Sequence, residues 1–143
     1  MMHVALVSLL LAAAPASPAP APSDTEAIRR TALDYIEGWY AGDAARMERS
    51  LHPELAKRMV ETDKISGKSR LEPMGAMTLV QLTRAGGGKA TPKDRQQKDV
   101  TILDVYEGAA TVKLVASDWI DYLHLSKCDG EWKIVNVLWE LKK

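Results

Sequence analysis

Residues 100–141 read VTILDVYEGAATVKLVASDWIDYLHLSKCDGEWKIVNVLWEL, and their alternation of apolar and polar side chains decides the fold. Short runs rich in Val, Ile, Leu, Tyr and Trp are separated by turn-forming pairs, which is the signature of an antiparallel meander. Four strands are predicted: Val100 to Tyr106, Ala109 to Ala116, Trp119 to Lys127 and Trp132 to Leu141. The turns are Glu107-Gly108, Ser117-Asp118 and Asp129-Gly130, the last a strong hairpin signal. Without the middle turn, Ala109 to Lys127 would form one strand about 60 Å long at roughly 3.3 Å per residue, too long for so small a domain.

Directly opposed residues of an antiparallel pair share a face, so each turn sets the parity of the next strand. Carried through all three turns, this rule predicts one face made of Leu103, Val105, Ala110, Val112, Leu114, Leu123, Leu125, Ile134 and Leu138. Two strongly polar side chains interrupt it, Asp121 and Asn136. The other face carries Asp104, Lys113, Lys133 and His124, together with Ile102, Tyr106, Val115, Ile120, Tyr122, Val135, Val137 and Trp139. The first face is expected to pack under helices. The second is too apolar for bare surface and predicts a partner, most simply a second copy of the chain.

Upstream of the strands the period changes. Ser23 and Glu26 form a capping-box pattern, and Ile28, Ala32, Tyr35, Ile36 and Trp39 then recur on one helical face. Gly42 closes this helix and Asp43 caps a second, which carries Met47 and Leu51 inward. His52-Pro53 breaks the second helix, with a further turn expected through Lys57. Residues 60–70 read as a loop or one short strand. A third, buried helix is predicted from Pro73 to Arg84, stopped by Gly86-Gly87-Gly88. The predicted fold class is therefore α+β, with N-terminal helices packed on a curved antiparallel sheet.

The first 22 residues differ in kind. They contain no Asp, Glu, Lys or Arg, so all 19 basic and 19 acidic side chains follow Pro22. Val4 to Ala14 is an apolar run of signal-peptide length, shorter than the roughly 20 residues a membrane span requires. Residues 1–16 are predicted to be a signal peptide cut after Ala16, residues 17–22 a Pro/Ala spacer, and residues 23–143 one domain. Export to a periplasmic or extracellular space, in soluble form, follows as an expectation. Cys128 is the sole cysteine, which excludes an intrachain disulfide. Formal charge balances to zero and no basic block stands out, which argues against nucleic acid or an anionic membrane as partner.

Two longer stretches carry a resemblance. One is Tyr35-Ile36-Glu37-Gly38-Trp39-Tyr40-Ala41-Gly42-Asp43 leading into Leu51-His52-Pro53. The other runs from Asp121-Tyr122-Leu123-His124-Leu125-Ser126-Lys127 through Asp129-Gly130-Glu131-Trp132-Lys133-Ile134-Val135-Asn136. Together with the helices-first order, they resemble the nuclear transport factor 2-like superfamily, to which ketosteroid isomerases and SnoaL-type polyketide cyclases belong. Within it they are most similar to the branch named putative lumazine-binding. The resemblance implies a cone-shaped fold with a cavity between helices and sheet, and a homodimer formed through the sheet.

Candidate site residues follow from the register. Asp121 and Asn136 sit diagonally on adjacent strands, Tyr35 and Trp39 close the opposite wall, and Leu123 and Leu138 add apolar surface. Such a cavity suits an apolar or planar small molecule without any cofactor. A carboxylate in apolar surroundings has its pKa raised, which would suit Asp121 to general-base work. The ketosteroid isomerases share that layout, a carboxylate base and a tyrosine of the first helix, by analogy only. Three readings remain open on the residues: a binding or accessory protein, a cofactor-independent isomerase, cyclase or hydrolase, and an interaction module.

Other features read more plainly. No His or Cys spacing matches a metal site, with His52 expected at the surface and His124 on the outer face. Gly86-Gly87-Gly88-Lys89-Ala90-Thr91 lacks the opening glycine of a phosphate loop, has no Ser or Thr directly after Lys89, and follows a helix, so a flexible connection is expected. Arg46, Arg49, Lys57 and Arg58 stand beside Glu48 and Glu54 and predict a solvated charged face. Trp132 is expected in the core and Trp139 at the interface.

Overall fold

The computed structural model describes residues 23–143, so the predicted signal peptide and spacer lie outside the described residues. Helix α1 spans Asp24–Ala41 and α2 Ala44–Ser50; strands β1 (Leu51–Thr62) and β2 (Ser69–Met74) follow, then α3 (Ala76–Arg84). A short 3₁₀ turn at Lys93–Arg95 leads into β3 (Lys98–Tyr106), β4 (Ala109–Ala116), β5 (Trp119–Cys128) and β6 (Glu131–Leu141). All six strands form one sheet in the order β2-β1-β6-β5-β4-β3.

Local chemistry sets the helix ends as expected. The Ser23 side chain accepts from the Glu26 amide and the Glu26 carboxylate accepts from the Ser23 amide, completing the capping box. Gly42 ends α1 at φ 68°, a left-handed conformation that a side chain disfavours, and Asp43 caps α2 by accepting from the Arg46 amide at 3.0 Å. Ile28, Ala32, Tyr35 and Ile36 are buried along one face of α1, and Trp39 packs against the same core. Their partners are Val112, Leu114, Leu123, Leu125, Ile134 and Val137 on the inner face of the sheet.

Strands β3 to β6 form the antiparallel meander predicted, but the sheet as a whole is mixed. β1 joins β6 in parallel, pairing Ala56 with Asn136, Lys57 with Val137 and Arg58 with Leu138, and β2 pairs antiparallel with β1. The chain from Leu51 to Lys57 is thus a strand, where the sequence suggested a broken helix and a turn. Residues 60–70 belong to a hairpin. Pro53 sits in the irregularity between Leu51 and Ala56, where its missing N–H removes no ladder bond. Pairing along the open edge of β6 is a tertiary gain that local composition does not display.

Two bulges alter the faces. In β3 the register slips between Ile102, which pairs with Val112, and Asp104, which pairs with Thr111. Ile102 therefore packs against the core and Leu103 is exposed, the reverse of the predicted pair. Val105 keeps its predicted pairing with Ala110 but is exposed at the strand's end. In β6, Leu125 pairs with Ile134 but His124 pairs with Asn136, leaving Val135 as the extra residue. Every side chain beyond it changes face. Asn136 and Leu138 turn to the outer side, while Val137 and Trp139 turn inward. The placement of Asn136 and Leu138 in the cavity is thereby corrected, as is that of Trp139 on the outer face.

Candidate functional site

A cavity of about 290 Å³ lies between the helices and the inner face of the sheet. Tyr35 and Trp39 reach it from α1, Met47 from α2 and Leu79 from α3; Trp119 and Trp139 come from the sheet. Met74 and Leu141 add apolar surface, and Lys57 and Asp118 are its charged neighbours. Of the residues proposed from the sequence, Tyr35 and Trp39 border this space directly. Leu123 is fully buried in the core on the same face of the sheet but does not border the cavity.

Asp121 faces inward as predicted and is completely buried. Both its oxygens are engaged. Oδ1 accepts from Lys57 Nζ at 3.0 Å and from the Tyr35 hydroxyl at 3.5 Å, and Oδ2 accepts from the Trp119 indole N–H at 2.7 Å. The Tyr35 hydroxyl in turn accepts from Lys57 Nζ at 2.7 Å. Asp121 pairs with Trp139 across the β5–β6 ladder, and Lys57 lies 4.7 Å from the Trp139 ring centroid. One ion pair, one phenol and two indoles therefore make a closed polar cluster in an apolar wall. A base acting through Asp121 would first have to release one of these donors.

Lys57 is the residue that the sequence reading placed elsewhere. It was expected on a solvated basic face, and it is 5% exposed. A signal was present: in a strand, Leu55, Lys57 and Met59 share a face, so a lysine alternates with apolar residues. The expected helix break at Pro53 concealed that period. Burial pulls the Lys57 ammonium below the usual lysine range, and the Asp121 carboxylate opposes this by favouring the charged form. Burial pushes the Tyr35 phenol well above its ordinary value of 10.0, reinforced by the neighbouring carboxylate, so Tyr35 keeps its proton.

The remaining basic side chains of α2 are also spoken for. Arg46 Nε and Arg49 Nε donate to the two oxygens of Asp34 at 2.7 and 3.0 Å, and Arg46 also pairs with Glu37. Lys98 completes the group at 2.7 Å from Glu37. This network pins α1 to α2 and to β3 and takes no part in the cavity.

The glycine run has a packing role. A Cβ on Gly88 would stand 2.3 Å from the Trp39 carbonyl oxygen, and one on Gly87 would stand 2.6 Å from the Trp39 ring. Only glycine lets the loop after α3 lie against Trp39, which fixes that wall of the cavity. Trp39 and Trp119 meet edge to face with centroids 6.4 Å apart. His124 and Asn136 lie together on the outer face, with Asn136 Nδ2 3.3 Å from His124 Nδ1.

Comparison with known proteins places this architecture. Solved structures match its fold: a nuclear transport factor 2-like protein of unknown function from Shewanella baltica OS155 (18% identity, TM-score 0.64, 84% of this chain and 94% of that one). Another from Methylobacillus flagellatus KT is 20% identical, with a TM-score of 0.65 over 84% of this chain and 93% of that one. A protein described as a putative scytalone dehydratase from Novosphingobium aromaticivorans is 14% identical, with a TM-score of 0.57 over 84% and 85% of the two chains. None of the curated proteins matches the sequence. The model of the family described as "Putative lumazine-binding" matches residues 23–140, from the capping serine to the penultimate residue of β6. The chain belongs to that family, and its fold is that of the nuclear transport factor 2-like structures.

Proposed function

We propose that this is an exported small-molecule-binding or accessory protein whose ligand occupies the cavity between helices and sheet. The observation that carries the reading is the wall itself: three indoles and a tyrosine around about 290 Å³ of space, with one buried ion pair at its side. Ligand sites have this composition, mostly apolar and aromatic with a few placed polar groups, and this volume is at the small end of their range. The family's description, "Putative lumazine-binding", supports a small-molecule ligand. The leading sequence of residues 1–22 supports export, and among the described residues no helix is long and apolar enough to cross a membrane.

Tryptophan fluorescence tests the binding reading, because three of the four Trp residues border the site. A titratable change with a small aromatic probe is expected in the wild type and is expected to vanish in Leu79→Trp, which fills the space. If the Leu79→Trp variant, folded by circular dichroism, responds as the wild type does, the ligand sits elsewhere and the reading falls.

An isomerase, cyclase or hydrolase using Asp121 as base is the competing reading, and the pKa argument for it assumed a carboxylate without a cation. With Lys57 Nζ at 3.0 Å from Oδ1 and the Trp119 indole N–H at 2.7 Å from Oδ2, both carboxylate oxygens already accept from the protein. Binding is the better account. We also propose a homodimer through the outer sheet face, supported by exposed Tyr122 and Leu138, which lie side by side across the β5–β6 ladder.

A further inference from the structure

We propose that Lys57 is the specificity determinant of the cavity, and that it selects a planar, uncharged ligand bearing a hydrogen-bond acceptor such as a ring carbonyl. The inference deepens the binding reading above and rests on it. An ammonium has three N–H donors. Tyr35 Oη takes one from Lys57 and Asp121 Oδ1 takes another, and no third acceptor exists among the described residues. Lys57 nevertheless lines the cavity, and its nitrogen has the ring of Trp139, itself a lining residue, 4.7 Å away. An oxygen or ring-nitrogen acceptor on a bound molecule would satisfy that donor better than a ring face does.

Charge decides the class of acceptor. Lys57 and Asp121 cancel, so this part of the lining presents a donor without net positive charge. Asp118 is the acidic side chain among the lining residues, and it is exposed. A carboxylate or phosphate would lose its hydration, find no uncompensated cation, and meet Asp118. A cation would lose its hydration as well, and Lys57 offers it a donor where it needs an acceptor. A neutral acceptor avoids both penalties.

Shape decides the rest. Trp119 is held by its bond to Asp121, and Trp39 by the glycine loop, so the indole walls are set before a ligand arrives. Flat faces favour a flat ligand. The volume admits a compact one, on the order of two fused rings.

Three probes of equal ring size separate the possibilities: 2-acetonaphthone, naphthalene and 2-naphthoate, titrated at neutral pH by tryptophan fluorescence and calorimetry. The ketone is expected to bind roughly tenfold more tightly than the hydrocarbon, about the worth of one hydrogen bond from a charged donor, and more tightly than the carboxylate. Lys57→Met is expected to erase the preference for the ketone while still binding naphthalene. Equal binding of all three, or tighter binding of 2-naphthoate, overturns this inference and leaves the binding reading intact. Failure of every probe, naphthalene included, overturns the binding reading and this inference with it. The wild-type ranking decides the matter even where Lys57→Met does not fold.

Discussion

Asp121 and Lys57 form the feature on which the interior most depends. Two charges held away from water are tolerated because each supplies the other's counter-charge and because Tyr35 and Trp119 also donate to the carboxylate. Asp121→Asn leaves the ammonium unpaired, and a loss of about 3–5 kcal/mol is expected by urea denaturation. The double variant Lys57→Met/Asp121→Leu removes both charges and is expected to recover part of that loss. A double variant whose loss equals the sum of the losses of Lys57→Met and Asp121→Leu would show that the two residues are not coupled. Gly88→Ala places a methyl group 2.3 Å from the Trp39 carbonyl oxygen, a backbone atom that cannot swing aside. A loss of about 1–3 kcal/mol is expected, as for overpacking generally, with a change in tryptophan emission from the displaced wall.

Between elements, the α1–α2 junction depends on ion pairs that acid should weaken. Burial pushes Asp34 up, but the hydrogen bonds from Arg49 and Arg46 outweigh it and hold the carboxyl below its ordinary value of 3.8. Glu37 is held below its ordinary value of 4.5, first by Lys98 and, against a smaller cost of burial, by Arg46. For a carboxylate whose folded pKa is depressed, the stabilisation is complete above the unfolded value and disappears as pH falls through the folded one. Melting temperature is therefore expected to be level above about pH 5 and to fall below about pH 4. Asp34→Asn should begin lower and lose less over the same interval; a parallel acid limb would remove Asp34 from the account. At the other end of α1, Ser23→Ala deletes the side-chain half of the capping box, with an expected loss of about 1 kcal/mol read as a lower denaturation midpoint.

For the molecule as a whole, the outer sheet face is where assembly should be tested. Tyr122 and Leu138 stand exposed beside one another, with Lys113 and Arg58 next in the same row across the strands. A dimer mass is expected by sedimentation at micromolar concentration. Tyr122→Asp/Leu138→Asp should shift it to the monomer with the fold unchanged, and a monomeric wild type would refute the dimer.

The helices and the C-terminal meander were legible because their signals are local. A capping box, a helical period and three turns are each contained in a few neighbouring residues, and most core positions of α1, β4 and β5 follow from them. Asp121 was placed inside by the same parity rule. The rule broke in β6 because one additional residue, Val135, exchanges the faces of all that follow, and nothing in its identity announces a bulge. That slip moved Asn136 and Leu138 out and brought Trp139 in. Lys57 was missed for a different reason: its strand exists through parallel pairing with β6, about 80 residues away in the chain, and a lysine becomes a core residue only where a distant carboxylate waits for it. By itself, then, the order of residues determined the class of fold and which carboxylate lies within. Tertiary pairing alone decided which side chains share the cavity, since register and counter-charge arise between segments and are properties of neither one alone.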